Sequence, residues 1–348
     1  MVMRLRDIKA AAGALASQVS AGIPLVQALS RMSQLQPSYA HFWRRAVQAT
    51  QAGHPLSHRL EEIWPTALVS VVRAGEQSGK LDAVLRRIEQ TVALQMQLRG
   101  NLMKLAYPAG MGLAGVAIFI AFMVYVLPLL TKSLGGKGSN SFFFQLSAWM
   151  SAEFADNWFA IAVGTLLGIS ALVAWLQTPE ARAWLLELFL SVPVVKDSLR
   201  DMYFGLWAHY MALMAAAGIP TIDGARLTAS VLPGEMGASV HAFAKDLAVR
   251  NKSMSNSADP AKLPRDDLRV LWWPFYIANA FIVAENTGDV DRELLRVAPS
   301  LIEEGVRRFG QIVFAANVVA LALSAALITA PLGAYYTEIF FAIRQAGR

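Results

Sequence analysis

The stretch LAYPAGMGLAGVAIFIAFMVYVLPLLT, residues 105–131, contains 27 residues without a charged side chain. A membrane-spanning helix needs about 20 predominantly apolar residues, so this stretch is long enough to cross a bilayer. Residues 309–337 form a second such stretch of 29, and residues 157–176 form a third. Core helices of soluble proteins seldom stay apolar on every side for this length. We therefore predict three transmembrane helices, at 105–131, 157–176 and 311–337.

The composition of the whole chain is that of a membrane protein. Of its 348 residues, 55% are hydrophobic and only 16% are charged, whereas soluble proteins average about 25% charged residues. Cysteine is missing from the sequence, which excludes disulfides, thiolate metal sites and cysteine nucleophiles. The net charge is a modest +6, and we expect no nucleic-acid partner.

Lysine and arginine are distributed unevenly along the chain. Residues 1–104 hold 13 of them and residues 177–311 hold 14, whereas residues 131–156 hold two. Loops on the cytoplasmic side of a membrane carry the excess of these residues. The sequence therefore predicts a multi-pass membrane protein with a cytoplasmic N-terminus, and in a bacterium the opposite side is the periplasm. Its predicted non-membrane segments are cytoplasmic modules at 1–104 and 177–310, a short periplasmic loop at 132–156 and a periplasmic tail at 338–348.

An internal repeat relates the two large cytoplasmic regions. The tetrapeptide Ala-Gly-Ile-Pro at residues 21–24 recurs at 217–220, an offset of 196 residues. Trp-Pro at residues 64–65 recurs at 273–274, an offset of 209. The change of offset requires an insertion in the second copy, and the polar stretch 250–264 is the natural place for it. We predict two related modules of about 100 residues, each followed by a membrane span.

The spacing of apolar residues within each module is helical. Between residues 81 and 98 they recur every three or four positions, and no stretch alternates like a half-buried strand. Residues 202–222 are uncharged but align with residues 6–26, so we assign them to a soluble helix rather than a fourth span. The predicted fold is all-α: a polytopic membrane protein with two repeated helical-bundle modules and three transmembrane helices.

Two motifs occur in both modules. The first places Gly22 before Pro24 and Gly218 before Pro220, where glycine ends one helix in a left-handed conformation and proline opens the next. The second reads GEQSGKLD at 75–82 and AENTGDVD at 284–291. It pairs Glu76 with Glu285, Gly79 with Gly288, and Asp82 with Asp291.

The second motif has a structural and a functional interpretation. In the structural one, Ser78 or Thr287 caps the following helix, the glycine forms a tight turn, and the aspartate lies favourably at the helix N-terminus. In the functional one, the carboxylates bind a divalent cation or contact a partner. Caps and turns explain every residue type present, so we favour the structural interpretation and predict no metal site here.

Few residues are suited to catalysis or transport. His54 and His58 have the spacing of metal ligands, but Pro55 lies between them and no glutamate follows the first histidine. The predicted spans contain no ionisable residue, whereas ion-coupled transporters usually place such residues at membrane depth. We therefore predict no enzymatic activity, no catalytic residues, no cofactor and no metal.

The order of these motifs resembles the secretion F family, the polytopic inner-membrane platform proteins of type II secretion and PilC-like type IV pilus systems. Each module has the Ala-Gly-Ile-Pro turn first, a Gly-Glu-x-x-Gly-x-Leu motif later and a span at its end. Lys104–Pro108 also looks like the family's entry into the first span. In the second copy Ala284 and Val290 depart from the motif, and Asn317 stands where Pro108 predicts a proline.

The resemblance implies a non-enzymatic platform that couples a cytoplasmic assembly ATPase to insertion of pilin subunits into a growing filament. It also implies other inner-membrane assembly proteins as partners, a homo-oligomer and contact with membrane lipid. Protein secretion instead of pilus assembly is the alternative within the family. A small-molecule transporter is the alternative from a different class.

Overall fold

The computed structural model describes residues 3–104, 106–129, 142–178, 193–249 and 252–346. Every regular element in these residues is helical, and none of them forms a strand, so the all-α prediction is confirmed. The chain divides into two compact units. The first unit comprises residues 1–101 and 196–308, and the second comprises residues 102–195 and 309–348.

The first part of the first unit, which we call module 1, is built from helices of a few turns each. Its helices are α1 Leu5–Ser20, α2 Leu25–Leu35, α3 Ala40–Gln51, α4 Leu56–Leu60, α5 Thr66–Ser78 and α6 Leu81–Met103, with a 3-10 turn at Pro37–Tyr39. In α6 the buried apolar residues lie along one face of the helix, as the sequence predicts. They are Val84, Leu85, Ile88, Val92 and Leu98.

The second unit begins with α7 Ala106–Ala121, which continues through a π-helical turn at Phe122–Val126. It also contains α8 Phe142–Gln177, whose helical geometry breaks at Asn157. The prediction of a loop at 132–156 is wrong for residues 142–156, which are helical, while their periplasmic location stays a prediction. No glycine or proline interrupts that stretch. Residues 130–141 lie outside the described part of the chain.

The second part of the first unit, which we call module 2, repeats the helical order of module 1. Its helices are α9 Pro193–Ala216, α10 Thr221–Thr228, α11 Gly234–Val249, α12 Met254–Ala258, α13 Leu268–Trp272, α14 Phe275–Thr287 and α15 Val290–Ala346. Two 3-10 turns, Ala229–Val231 and Pro260–Lys262, lie between them. The last helix, α15, is long enough to leave module 2 at residue 308 and continue into the second unit.

The core of module 2 is an aromatic cluster of five residues: Phe204, Trp207, Phe243, Trp273 and Phe281. The ring centroids of neighbouring members lie 4.8–6.2 Å apart. Aromatic pairs at such separations are favourable beyond the area that they bury. The two indole N–H groups are also satisfied, because Trp207 donates to the Thr228 hydroxyl and Trp273 donates to the Ser239 hydroxyl.

Two helices are long and apolar enough to cross a membrane, at Gly110–Leu129 and within Val290–Thr337. They correspond to the first and third predicted spans. Large apolar side chains on them face outward: Leu113 is 71% exposed, Phe314 70% and Leu323 61%. A core helix of a soluble protein would bury such residues. The second predicted span, 157–176, lies in α8 beyond its break, and its insertion in a membrane stays a prediction.

The two candidate spans approach each other closely at small residues. A β-carbon added at Gly115 would come within 2.6 Å of the Ser324 β-carbon. Small residues let the backbones of membrane helices approach in this way. Met123 and Leu127 are fully buried beside this contact region, with Phe119, Met150 and Tyr335 packed against them.

Candidate functional site

The Ala-Gly-Ile-Pro motifs form the same turn in both modules. Gly22 has a φ of 78° and Gly218 a φ of 82°, which is the left-handed region that glycine adopts without strain. The Ile23 N–H donates to the Gln18 carbonyl at 3.0 Å, and the Ile219 N–H makes the equivalent bond at 3.0 Å. Each helix thus ends in a Schellman motif, and Pro24 and Pro220 each directly precede the first residue of the next helix.

Module 1 contains a further turn of this kind that the repeat does not reveal. In Ala52-Gly53-His54-Pro55, Gly53 has a φ of 84° and the His54 N–H donates to the Ala49 carbonyl at 2.9 Å. Pro55 then directly precedes the first residue of α4. Its Ala-Gly-x-Pro pattern was a usable signal in the sequence, and it explains His54 and Pro55 as turn residues.

Glu76 caps a helix that lies 20 residues before it in the chain. Its two carboxylate oxygens accept the backbone N–H groups of Leu56 at 2.6 Å and Ser57 at 3.0 Å, at the start of α4. The first N–H groups of a helix have no partner inside that helix, and a negative charge there is stabilised by the helix dipole. The side chain of Pro55 has no acceptor that could bind these N–H groups, so the Glu76 carboxylate caps the helix instead.

Glu285 makes the equivalent contact in module 2. Its carboxylate accepts the N–H of Ser255 at 2.5 Å, at the start of α12. This contact matches α12 with α4, so the extra residues of module 2 lie mainly between Ala258 and Trp273. The predicted position of the insertion at 250–264 was therefore too early. The helix α13 and the turn at Pro260–Lys262 belong to the added segment.

Gly79 and Gly288 end α5 and α14 with φ values of 69° and 79°. No atom lies within 4 Å of a β-carbon added at either glycine, so the conformation and not the available space requires glycine there. Asp82 and Asp291 lie in the first turns of α6 and α15, as predicted for helix N-termini.

The predicted caps at Ser78 and Thr287 do not form as expected. The Ser78 hydroxyl donates backward to the Gly75 carbonyl at 3.4 Å. The Thr287 hydroxyl accepts the Asp289 N–H at 3.4 Å, just ahead of α15. Ser78 is the last residue of α5, and its side chain therefore lies on the helix that ends and not on the one that begins.

The contacts of the repeated carboxylates are those of a structural role. Both oxygens of Glu76 are occupied by backbone N–H groups. Among the described residues, no group of three or more His, Asp or Glu side chains is arranged to hold a metal ion.

Comparison with known proteins gives consistent matches. Residues 11–128 match the family model of type II secretion system protein F. The chain is 25% identical over 309 residues to the type IV pilus assembly protein TapC of Aeromonas hydrophila, covering 86% of this chain and 72% of the relative. It is 24% identical over 294 residues to type II secretion system protein F of Vibrio cholerae, covering 82% and 70%. PilC of Myxococcus xanthus is 21% identical over 300 residues, covering 84% and 70%.

The chain is therefore similar over most of its length to the type II secretion F and PilC-like proteins. The matched residues, 11–128, run from α1 through the first candidate span, so the family model covers one module and the helix after it. The members of that family are inner-membrane platform proteins without enzymatic activity, which agrees with the prediction of no enzymatic activity for this chain.

Module 2 also contains a buried ion network. Arg269 is 2% exposed and forms a bidentate pair with Asp267, with N–O distances of 2.8 and 2.7 Å. The same guanidinium contacts Asp246 at 2.9 Å, and Lys252 contacts Asp246 at 3.4 Å. Burial alone would raise the pKa of Asp246, but the two cations hold it below its ordinary value. The network fixes the added segment, which contributes Asp267, to α11.

A second network lies where α9 meets α15. Asp201 is buried and accepts hydrogen bonds from Arg200 at 3.0 and 3.1 Å and from Arg308 at 3.3 Å. Burial raises the pKa of Asp201 despite the two guanidinium groups beside it. The helices are close enough for Ser198 to donate to the Gly305 carbonyl at 2.6 Å. Arg308, which directly precedes the uncharged stretch 309–337, is thus held by its own module.

Proposed function

We propose that this platform protein couples a cytoplasmic assembly ATPase to the insertion of pilin subunits into a growing filament. Relatives that match over most of the chain are named for type IV pilus assembly in Aeromonas hydrophila and Myxococcus xanthus. This role requires several partners: pilin subunits, other inner-membrane assembly proteins, membrane lipid and further copies of the chain.

One structural feature carries the proposal. In each module a glycine turn starts the helix that leads toward a candidate span: Gly79 precedes α6, and Gly288 precedes α15. Helix α15 is continuous from Val290 to Ala346 and includes the candidate span. Rigid secondary elements can carry coupling between distant sites, so a displacement of a module by its partner reaches the membrane segment through this helix without a chemical step.

The proposal requires both modules on the cytoplasmic side and three spans. Reporter fusions near residues 60 and 250 should then report a cytoplasmic position, and a fusion near residue 137 should report a periplasmic one. A periplasmic signal at residue 250 would exclude both the three-span topology and the repeat.

The decisive functional test is a pair of substitutions at one glycine. Gly79→Val forces a β-branched residue into a left-handed conformation, which misdirects α6. We expect loss of filament assembly or secretion in cells, while ATP hydrolysis by the isolated partner ATPase stays unchanged. Gly79→Asn is the matched control, because asparagine adopts this conformation readily, and it should retain most of the assembly.

The same pair of substitutions at Gly288 extends the test to module 2.

Two outcomes at Gly79 would contradict the proposal. Equal defects in Gly79→Val and Gly79→Asn would mean that assembly requires the absence of any side chain at this position and does not depend on the conformation of the turn. Normal assembly in a stably inserted Gly79→Val protein would exclude transmission through α6.

A platform for protein secretion is the second candidate, because type II secretion system protein F of Vibrio cholerae matches over a similar length. The two candidates differ in the subunits that are inserted and not in the coupling mechanism. Affinity purification of the full chain from its native membrane, followed by identification of the bound ATPase and pilin-like subunits, separates them.

A further inference from the structure

A cleft of about 600 Å³ lies between the two modules within the first unit. One wall is a single face of α6 carrying Arg87, Gln90, Leu94 and Gln97, which follow one another at three- and four-residue spacing. The facing wall comes from module 2, with His209 and Leu213 on α9 and Leu295 on α15. Pockets for small molecules typically measure about 300–1,000 Å³, so this cleft has the size of a ligand site.

A direct contact between the modules keeps the two walls together. The Tyr210 hydroxyl donates to the Gln95 side-chain carbonyl at 3.1 Å, next to the cleft. Tyr210 is 3% exposed, and burial raises the pKa of its hydroxyl to about 12. The hydroxyl therefore stays protonated and remains a hydrogen-bond donor throughout the physiological range.

The charges around the cleft are unbalanced. No aspartate or glutamate is among its lining residues, and the Arg87 guanidinium has no ion-pair partner in the described part of the chain. The repeat offers a comparison, because Arg296 is the counterpart of Arg87 in module 2. Arg296 is paired with Glu293 on its own helix, with N–O distances of 2.7 and 3.1 Å. The unpaired arginine is thus the one that lines the cleft.

A polar atom without a partner lies on the opposite wall. The Nδ1 atom of His209 is buried, and the described residues provide no hydrogen bond to it. Buried polar atoms are usually hydrogen-bonded. The rest of the lining is apolar at Leu94, Leu213 and Leu295, and Leu295 is 41% exposed.

We propose that this cleft binds a small organic anion, a phosphate ester with an apolar or planar body, at one site per chain. Arg87 supplies a forked set of donors suited to a phosphate, and the amide groups of Gln90 and Gln97 add neutral donors beside it. The body of the ligand covers the three leucines. Because the walls come from both modules, binding stabilises their contact. The site is independent of the proposed coupling to an ATPase.

Two sources could supply such a ligand: a soluble nucleotide or an anionic lipid. Adenosine 5′-monophosphate represents the first and hexyl phosphate the second. Adenosine, hexanol and inorganic phosphate are the matched controls, since each lacks either the charge or the body. Calorimetric titration of the detergent-solubilised full chain should detect saturable binding of at least one of the two phosphate esters, with the three controls binding much more weakly.

Substitution of the two arginines then locates the site. Loss of a charged hydrogen-bonding group should weaken binding about tenfold or more in Arg87→Gln, whereas Arg296→Gln should bind as the original protein does. Both side chains are exposed, so an unchanged thermal midpoint establishes that each variant is folded. Absence of binding by both esters, equal binding of inorganic phosphate, or equal losses in the two arginine variants would each overturn the proposal.

Discussion

Modules 1 and 2 share a backbone plan but fill it with different side chains. In α3 the buried residues Phe42, Ala46 and Ala49 match Val240, Ala244 and Leu247 of α11 at a constant offset of 198 residues. At the centre of module 1 lie Ile8, Ala11 and Val72, whereas their counterparts in module 2 are Phe204, Trp207 and Phe281. Cores tolerate exchange of hydrophobic residues when total volume and pattern are kept. The features that the two modules share are the turns and helix caps, and these set the common order of the helices.

The modules also place their ion pairs differently. In module 1, Arg45 pairs with Glu62 at 3.1 Å while the two side chains are 45% and 36% exposed. In module 2, Arg269 and Asp246 are almost fully buried. Exposed pairs contribute little to stability, whereas a buried pair is strongly destabilising when one partner is removed. The comparison therefore predicts that removing one charge of an ion pair destabilises module 2 much more than module 1.

The largest effect is expected for Arg269→Met. It leaves Asp267 without its cation and Asp246 with Lys252 alone, and it should destabilise module 2 by about 3–5 kcal/mol. The matched substitution in module 1, Arg45→Met, should cost no more than about 1 kcal/mol. Thermal unfolding of the detergent-solubilised protein, followed by tryptophan fluorescence, measures both. If both variants lower the unfolding temperature by a similar small amount, the predicted difference between the two modules is wrong.

Exchange of core residues between the modules should have the next largest effect. Phe281 and Val72 are counterparts, and both are fully buried. Phe281→Val leaves a cavity and should cost about 2–4 kcal/mol, somewhat below the range for Phe→Ala. Val72→Phe overpacks the smaller core and should cost about 1–3 kcal/mol. The same thermal assay applies, and tolerance of either exchange would show that the two cores are interchangeable.

The turns and the helical spacing can be predicted from the sequence, because both depend on residues that are close together in the chain. The Ala-Gly-Ile-Pro turns and the apolar face of α6 follow from neighbouring residues alone. The caps by Glu76 and Glu285 could not be predicted in this way, since each carboxylate contacts a helix about 20–30 residues earlier. The insertion predicted at 250–264 includes residues 254–258, because these share with α4 only the serine at Ser57 and Ser255, although they take its place.

Acidification should affect module 2 more than module 1. The Arg269 guanidinium holds the pKa of Asp267 below its ordinary value, and the pKa of Asp246 is also lowered. Groups with a lowered folded-state pKa stabilise the protein above their unfolded pKa, and this stability is lost as pH falls through the folded value. Unfolding midpoints should therefore decrease below about pH 4. The decrease should be smaller in Asp246→Asn, and an identical pH profile in that variant would contradict the assignment.

Loss of the charge at the shared helix caps is expected to change stability least, and each substitution should affect only the helix that it caps. Glu76→Gln keeps an acceptor but loses the charge at the start of α4, and Glu285→Gln does the same at α12. Each should cost about 0.5–2 kcal/mol, the range for helix caps. Glu76→Gln should cost more, because Glu76 accepts two backbone N–H groups and Glu285 has one such bond in the structure.

Amide hydrogen exchange tests most directly whether the repeated glutamates are helix caps. In Glu76→Gln, the amides of Leu56 and Ser57 should exchange several-fold faster, while that of Ser255 is unchanged. In Glu285→Gln, only the Ser255 amide should be affected. Unchanged exchange at these amides in both variants would contradict the account and favour a cation or a partner as the ligand of these carboxylates.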